Sequence, residues 1–305
     1  MDYDAIVVGG GLAGLTAGLY AARSGLRTLV IEQMMAGGQV SNIEHIETFP
    51  GQMEPVGGMM LGPATQMQAE QAGAGVVMET VTGLEREGDV LTVHTAEGRH
   101  SAAAVIVASG STLRTLGVPG EEEYRGRGVS QCADCDGYFF SGKRVVVVGG
   151  GDSALDEAMV LAGMGVEKVL LVHRGDDFAG AQQLLADRVK EVDLIEPVFG
   201  TELVEIKGED GAVGAVTLRQ GERTWEEQVA GVFVFAGLVP NTAWLGGLVD
   251  LDRDGRVVVD AMMATSVPGV FAAGDVRQHS VAQLAASAGD GATAGIAAAR
   301  YLRTR

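Results

Sequence analysis

Short apolar runs alternate with helical patterns at the start of the chain. The run from Ala5 to Val8 is followed by a glycine-rich segment and then by Leu15, Leu19 and Ala22, which have the spacing of one face of a helix. A second apolar run covers Thr28 to Ile31. This order of strand, loop, helix and strand predicts an α/β unit with parallel strands.

The same pattern returns 140 residues later. Residues Arg144 to Ala154 align with Asp4 to Gly14, and the next apolar run is Lys168 to Val172. The chain therefore contains an internal repeat of one strand, loop and helix unit.

Two further segments read as antiparallel strands. Residues 76–107 alternate between apolar and polar positions, with turn signals at 87–89 and 97–98. A matching hairpin pattern covers about 203–235. Each repeated unit is therefore expected to carry its own small antiparallel insertion.

The order of the segments predicts that the second unit is inserted into the first. After the second unit, an apolar run at 270–273 and an alanine-rich helical pattern complete the chain. The linkers are expected near residues 111–117 and 237–242.

Composition supports two ordinary globular domains. Of the 305 residues, 47% are hydrophobic and 20% charged, and 46 glycines against 7 prolines suit many tight turns between strands and helices. No basic and apolar leader and no 18-residue apolar stretch are present, so we expect a cytoplasmic protein without a membrane span. The formal net charge of −18 disfavours nucleic acid and anionic membranes as partners.

The first glycine loop has the pattern of a dinucleotide site. Gly9 permits the tight turn, Gly11 lets the backbone approach a pyrophosphate, and Gly14 allows the helix to pack close to the strand. Glu32 ends the second strand, where an acid binds the ribose hydroxyl of a nucleotide without a 2'-phosphate. The alternative is that the glycines serve only a turn and Glu32 is merely exposed.

The second loop repeats this pattern with a different strand end. Gly149, Gly151 and Ala154 take the three glycine positions, and His173 and Arg174 stand where the first unit has its acid. Two loops with different strand ends imply two different nucleotides. We therefore predict an α/β fold of two Rossmann-like, three-layer nucleotide-binding domains, the second inserted into the first.

The only two cysteines, Cys132 and Cys135, stand three apart between the two glycine loops. A C-x-x-C pair can close a small disulfide, and a turn running into a helix favours one thiolate. Half of a zinc site or an inert pair are the alternatives, but zinc needs two more ligands. There is no third cysteine, and no ligand spacing is found among the five histidines, which are His45, His94, His100, His173 and His279.

Together these residues resemble low-molecular-weight bacterial thioredoxin reductase along nearly the whole chain. The matching segments are the first loop with Glu32, residues 37–39, 46–51, 117–121, 132–140 and 149–154, and residues 240–242 and 274–276. The resemblance implies an FAD-binding domain of residues 1–114 and 240–305, and a pyridine-nucleotide and dithiol domain of residues 115–239. It also implies a homodimer that passes electrons from NADPH through FAD to the disulfide, and then to thioredoxin or a thioredoxin-like protein after a domain rotation.

The same resemblance implies the site residues. Cys132, Cys135 and Asp136 would be catalytic, with Cys135 nearer the flavin and Asp136 as the general acid and base. The other reading of Asp136, a helix N-cap or a first-turn acid, can coexist with that role. The cofactor-binding residues would be Gly9, Gly11, Leu12, Ala13, Gly14, Glu32, Gly38, Gln39, Asn42, Gly149, Gly151, Asp152, Ser153, Ala154, His173, Arg174, Gly274, Asp275 and Gln283. No metal is implied.

The chain departs from the family after its second nucleotide strand. Gly175 and Ala179 stand where members that use NADPH have further arginines, and Asp176 and Asp177 add negative charge. Each lost charge-assisted contact could cost ~1.5 to 3 kcal/mol. Ala282 likewise replaces an arginine that often precedes the glutamine of the family.

These departures leave the electron donor open. NADH is the simplest choice because the phosphate loop is intact while the grip on a 2'-phosphate is reduced. NADPH held through Arg174 alone is a second, and ferredoxin or a dithiol oxidase that passes electrons to oxygen is a third. Two rival functions are the flavoprotein of a peroxide-reducing system, which normally carries an extra N-terminal module, and a redox sensor without turnover.

Overall fold

The computed structural model describes residues 1–305 and divides the chain into two compact units. The first unit is Met1–Thr112 with Val239–Arg305, and the second is Leu113–Leu238. The sequence placed these two boundaries at 114/115 and 239/240, one or two residues later. None of the helices combines the length and the apolar character that a membrane crossing requires.

The elements follow one another along the chain as the repeat predicts. The strands are β1 (Tyr3–Val8), β2 (Thr28–Glu32), β3 (Gly75–Met78), β4 (Val81–Glu87), β5 (Val90–Thr95), β6 (Arg99–Val107), β7 (Ser111–Leu113), β8 (Val129–Ser130), β9 (Arg144–Val148), β10 (Lys168–Val172), β11 (Ile195–Val198), β12 (Glu202–Glu209), β13 (Ala212–Gln220), β14 (Arg223–Gln228), β15 (Gly231–Val234), β16 (Leu238–Pro240) and β17 (Val270–Ala272). The helices are α1 (Leu12–Arg23), α2 (Gly58–Gln71), α3 (Ala133–Asp136), α4 (Asp152–Gly163), α5 (Gln183–Lys190) and α6 (Leu284–Arg303). Short 3-10 turns lie at Gly38–Asn42, Gly137–Phe140, Ala243–Leu245 and Gly274–Val276.

One seven-stranded sheet organises the first unit. Its order is β3-β2-β1-β6-β5-β4, and β17 pairs with β6. The pairs β1–β2, β1–β6 and β6–β17 are parallel. The pairs β4–β5 and β5–β6 are antiparallel. The predicted antiparallel insertion is therefore not a separate sheet, because β6 is nine residues long and pairs with β5 at one end and β1 at the other.

Two small-residue helices cover one face of this sheet. A Cβ on Gly291 of α6 would overlap the Ala13 carbonyl of α1, and a Cβ on Gly295 would lie 2.6 Å from the Ala17 carbonyl oxygen. The backbones of α1 and α6 therefore touch closely, and Ala298 of α6 is completely buried against the sheet.

A parallel sheet organises the second unit, in the order β11-β10-β9-β15-β8. Val145 and Val147 of β9 pack in one buried cluster with α4 and α5, and Val146 and Val148 pack in another with the separate antiparallel sheet β12-β13-β14. Apolar strands of this kind, buried on both faces, are typical of a three-layer parallel sheet. The predicted Rossmann-like α/β class is confirmed.

The chain leaves and re-enters the first unit at neighbouring points. Strands β7 and β16 pair with each other. Within the first unit, the Ser109 hydroxyl donates to the Asn241 carbonyl at 2.7 Å, and the Asn241 amide donates to the Ser109 carbonyl at 2.8 Å. Within the second unit, the Arg114 N–H donates to the Gly237 carbonyl at 2.9 Å. Each unit therefore holds its own two ends together.

Candidate functional site

The first glycine loop has open space beside Gly11, whereas backbone atoms lie against Gly9 and Gly14. Gly9 has φ +110° and a Cβ there would overlap the Ala108 carbonyl, while a Cβ on Gly14 would overlap the Gly9 carbonyl. A Cβ on Gly11, by contrast, would meet only the Gly37 carbonyl oxygen at 3.8 Å. Helix α1 begins directly after Gly11 and has no side-chain cap. Its first N–H groups therefore have no capping side chain and lie next to the open position at Gly11, which suits an anionic group.

Glu32 is held against this loop by a contact that the sequence analysis missed. The Gly10 N–H donates to Oε2 of Glu32 at 2.6 Å, and the Met34 N–H donates to Oε1 at 2.9 Å. A Cβ on Gly10 would lie 2.7 Å from the Glu32 Cβ. The only sequence signal was Gly10 itself, the middle one of three consecutive glycines, because the dinucleotide pattern leaves that position unspecified.

The turn Gly38–Asn42 lies beside the first loop. The Gly37 N–H donates to the Gly10 carbonyl at 2.8 Å, and a Cβ on Gly38 would be 3.3 Å from the Gly11 Cα. The Gln39 amide donates to the Ser111 carbonyl at 3.2 Å. The structure thus brings Gly38 and Gln39 to the loop, whereas Asn42 is exposed at the end of the turn.

The C-terminal segment supplies a third wall. Gly274 has φ +77°, and a Cβ there would lie 2.8 Å from the Ala13 Cβ. The Asp275 carboxylate accepts the Ser280 hydroxyl at 2.8 Å, which fixes its direction. Ala282 has a positive φ of 50° just before Gln283, the residue that precedes α6.

A buried ion pair that the sequence analysis also missed holds this wall. Asp290 of α6 accepts Arg277 Nε at 2.6 Å and Nη2 at 2.8 Å, and it accepts the Gly274 N–H at 3.1 Å. The Asp290 and Arg277 side chains are only 9% and 15% exposed, respectively. No local pattern marks such a pair, since its partners are separated by a loop and a helix turn.

The second loop repeats the design of the first. A Cβ on Gly149 would lie 2.6 Å from the Phe235 carbonyl oxygen, and nothing lies within 4 Å of a Cβ on Gly151. Helix α4 has no side-chain cap, and Ser153 in its first turn is exposed. Asp152 accepts the Gln182 N–H at 2.7 Å and the Gln182 amide at 2.8 Å, so it ties the loop before α5 to the start of α4.

His173 takes the place in the second unit that Glu32 takes in the first. Its ring fills the space above Gly150 and lies 2.6 Å, at Nε2, from a Cβ built on Gly175. The ring stacks on Phe178 with centroids 6.2 Å apart. Burial lowers the pKa of His173, and the Arg174 charge lowers it further, so the ring is neutral at pH 7.

The charges that follow are mostly negative. Arg174, Asp176 and Asp177 are exposed, and Asp177 accepts the Ala179 N–H at 2.9 Å. One cation and two carboxylates therefore follow β10 along the chain, all three exposed.

Cys132 and Cys135 form a disulfide at the start of α3. Cys132 is the N-cap residue of α3, and its Sγ accepts the Cys135 N–H at 3.1 Å. The Asp136 carboxylate accepts the Ser130 hydroxyl at 2.6 Å, and Ser130 Oγ in turn accepts the Cys132 N–H at 3.1 Å. The other reading of Asp136 also holds in part, because Asp136 is an acid in the first turn of α3 and stands at the N-cap position of the 3-10 turn Gly137–Phe140, although its side chain makes no capping hydrogen bond there.

Asp136 also has access to an open space. It lines a cavity of about 200 Å³ in the second unit together with Arg125, Ser130 and Gln131. A carboxylate hydrogen-bonded to the disulfide turn and open to a cavity can exchange protons with solvent there.

Glu157 of α4 lies behind the disulfide and was missed altogether. Its Oε2 accepts the N–H of Ala133, the residue after Cys132, at 2.5 Å. Burial raises the pKa of Glu157 to about 7, and the Asp134 and Asp156 charges add to the effect of burial. Its position in the sequence, five residues into the helix, gave no signal because acids are common there.

Both glycine loops pass a simple test of fit for a dinucleotide. At Gly11 and Gly151 a missing side chain leaves open space beside an uncapped helix N-terminus, and the other loop positions are closed by protein atoms. This is the arrangement that a pyrophosphate requires.

Comparison with known proteins places these features in context. A family model described as pyridine nucleotide-disulphide oxidoreductase matches residues 3–292. The chain is 42% identical to the thioredoxin reductase of Treponema pallidum (strain Nichols) over 307 residues, covering 99% of this chain and 98% of that protein. The crystal structure of Lactococcus lactis thioredoxin reductase (FR conformation) has a TM-score of 0.96 at 36% identity, with 99% of this chain and 100% of that chain covered. Thioredoxin reductase of T. acidophilum has a TM-score of 0.93 at 32% identity, with 99% of both chains covered.

Proposed function

Because the chain belongs to the pyridine nucleotide-disulphide oxidoreductase family and is a flavoprotein thioredoxin-disulfide reductase, we propose that its two glycine loops hold two different nucleotides and serve one redox pair, Cys132–Cys135. The observation that carries this proposal is the disulfide at the N-terminus of α3, on a chain with two open dinucleotide loops. The electrons then pass to a thioredoxin-like protein.

The first unit holds FAD in this proposal. Gly9, Gly11 and Gly14 with the N-terminal residues Leu12 and Ala13 of α1 cradle the pyrophosphate. Glu32 retains free lone pairs for a ribose hydroxyl, since each oxygen accepts a single backbone N–H. The remaining contacts come from Gly38, Gln39, Asn42, Gly274, Asp275 and Gln283. Bound FAD would supply two-electron transfer between the nicotinamide and the disulfide.

The second unit takes NADH rather than NADPH. Gly149, Gly151, Asp152, Ser153 and Ala154 form its phosphate loop. His173 is a neutral, packed ring that contributes no positive charge to a 2'-phosphate. Arg174 is then the one cation in the exposed segment after β10, which also carries Asp176 and Asp177, so a dianionic 2'-phosphate is disfavoured.

Asp136 manages the proton at the disulfide. When the S–S bond is reduced, one sulfur must be protonated, and Asp136 lies within the same hydrogen-bonded turn as Cys132. Its access to the 200 Å³ cavity allows the carboxyl to be reprotonated from solvent. The N–H of Cys135, which donates to Cys132 Sγ, stabilises negative charge on that sulfur.

A protein substrate is supported by the surface beside the disulfide. Tyr138 and Phe139 lie three and four residues after Cys135 and are each 73% exposed. Exposed aromatic side chains next to a redox centre suit contact with a folded protein, because aromatic residues are enriched at the centres of such interfaces. A thioredoxin-like domain is the partner that this surface fits.

The assembly and location belong to the same proposal. A homodimer is supported by α2, on which Met59, Met60 and Met67 are 60%, 70% and 57% exposed, an apolar surface suited to a second subunit. A cytoplasmic location is supported by a chain whose only cysteines form one redox pair, since proteins of oxidising compartments more often use disulfides as staples.

The donor is tested by anaerobic stopped-flow mixing of the FAD-loaded protein with NADH and, separately, with NADPH. We expect the flavin band at ~450 nm to bleach fast with NADH and at least about tenfold more slowly with NADPH, because Asp176 and Asp177 repel the 2'-phosphate and Arg174 alone attracts it. Faster bleaching with NADPH would refute the NADH assignment. Bleaching with neither would refute nicotinamide as the donor and point to ferredoxin or to a dithiol oxidase.

A further inference from the structure

A partly buried hydrogen bond joins the disulfide turn to α4. Ala133, completely buried between the two cysteines, donates its N–H to Glu157 Oε2 at 2.5 Å. This N–H has no partner within α3, because it belongs to the first residue of that helix, and Cys132, on which negative charge can develop upon reduction, is the residue before it. When Glu157 is charged, its carboxylate therefore accepts the N–H of the residue next to Cys132, in the same turn in which a thiolate forms.

The charged surroundings of Glu157 offer it no cation. Asp134 of α3 and Asp156 of α4 act on it, and both are acidic. The charged residues of the strands under α4 pair elsewhere, Arg144 with Glu227 and Lys168 with Glu196. Helix α5, which also packs on α4, carries Asp187, Arg188 and Lys190, with Lys190 close to Asp187 at 4.0 Å.

We propose that Glu157 is a positioning residue for the dithiol, whose carboxyl takes up a proton when the Cys132–Cys135 disulfide is reduced. The proposal rests on the assigned disulfide reduction and adds a residue to it. Two electrons from the reductant break the S–S bond, one sulfur takes a proton, and the other becomes a thiolate. Glu157 takes one further proton from solvent, so that no second negative charge stands behind the new thiolate. Its neutral carboxyl still accepts the Ala133 N–H and keeps the turn in place.

The proposal predicts a difference that depends on pH. At pH 6 the carboxyl is already neutral in the oxidised protein, because burial raises the pKa of Glu157 to about 7. At pH 8, one unit above that pKa, the carboxyl is mostly ionised in the oxidised protein and must take up a proton when the disulfide is reduced. This proton uptake lowers the equilibrium constant for reduction by up to about tenfold. A glutamine at this position carries no such cost at either pH.

The test is the thiol–disulfide equilibrium of the FAD-loaded protein in a fixed dithiothreitol redox buffer, measured at pH 6 and pH 8. The reduced fraction is read by acid quenching, alkylation and mass spectrometry. Oxidation of dithiothreitol releases two electrons and two protons, which match the proton taken by sulfur and the proton taken by Glu157. The variants are Glu157→Gln and, as a matched control that removes a carboxylate from the exposed neighbouring position, Asp156→Asn.

We expect Glu157→Gln to favour the dithiol about threefold to tenfold over wild type at pH 8 and less than about twofold at pH 6. Asp156→Asn should stay within about twofold of wild type at both. An equal shift at both pH values would reduce Glu157 to a purely structural hydrogen bond, and no shift at pH 8 would also overturn the proposal. Whether wild type reduces a thioredoxin is measured separately. Failure there would contradict the proposed protein partner, but it would not affect the conclusion drawn about Glu157 from the equilibrium with dithiothreitol.

Discussion

The ion pair between Arg277 and Asp290 offers a sharp test of how the first unit is held together. Asp290 accepts three hydrogen bonds, two from Arg277 and one from the Gly274 N–H, and it is nearly inaccessible to solvent. Replacing Asp290 by asparagine preserves the shape and an acceptor for Gly274. It leaves the Arg277 charge desolvated and without its counterion.

The magnitude follows from that arrangement. Removing one partner of a buried pair costs about 3 to 5 kcal/mol, whereas removing both charges is often nearly neutral. Asp290→Asn and Arg277→Met should each destabilise the first unit by about 3 kcal/mol or more. The double variant should lose only about 1 kcal/mol, because the introduced side-chain amide still accepts the Gly274 N–H and no charge is stranded.

The assay is thermal unfolding of the FAD-loaded wild type, both single variants and the double variant. For a unit of this size the single variants should lower Tm by roughly 10 °C and the double variant by a few degrees. Retention of FAD after gel filtration should fall in Asp290→Asn, since Gly274 positions Asp275. Additive losses in the double variant, or single losses below about 1 kcal/mol, would refute the reasoning that the pair is buried and mutually dependent.

Four other outcomes are expected. Cys135→Ser should abolish thioredoxin reduction while FAD stays bound, and retained turnover would exclude the disulfide as the redox centre. Gly14→Ala should yield protein without FAD, measured by absorbance at ~450 nm, because its Cβ overlaps a backbone carbonyl. Gly175→Arg alone should leave the NADPH to NADH rate ratio within about threefold of wild type, because the new Cβ meets the His173 ring and displaces it from its packed position. The pKa of Glu157 is raised in the folded protein, so its contribution to stability is present below pH ~4.5 and is lost as the pH rises to about 7. The Tm of Glu157→Gln minus the Tm of wild type should therefore increase as the pH rises over that range, and this difference should stay constant above about pH 7.

Much of the fold could be predicted from local pattern. The bounds of β9 and β10 agree with the apolar runs, and β2 ends at Glu32 as expected, because buried parallel strands are continuous apolar segments. The pairing of β17 with β6 and the attachment of β4 and β5 to the main sheet could not be predicted in detail. Both depend on contacts between distant residues, and periodicity reports only which face of a segment is buried.

The candidate site divides in the same way. The family, the α/β class and the thioredoxin-disulfide reductase activity are confirmed, and they rested on motifs with fixed spacing. The residues that position those motifs were missed, namely Gly10, Glu157, Arg277 and Asp290. Each acts through hydrogen bonds or an ion pair to a segment distant in sequence, and none occurs at a spacing that marks it in the sequence. The assignments of individual FAD and nicotinamide contacts stay predictions.

The way in which each unit holds its own ends has a consequence for the order of folding. Bringing Gly110 and Asn241 together across an unfolded second unit costs roughly 3 kcal/mol more loop-closure entropy than closing a tight turn. Once the second unit has folded, the hydrogen bond from the Arg114 N–H to the Gly237 carbonyl holds its two ends together and that entropic cost disappears. The two parts of the first unit are then connected as if by a short turn, so α6 can pack on α1 without closing a long loop. During synthesis the inserted unit is also complete before β17 and α6 emerge. Folding of the inserted unit should therefore set the pace for the one that surrounds it, and slowing the inner unit should delay the acquisition of FAD by the outer one.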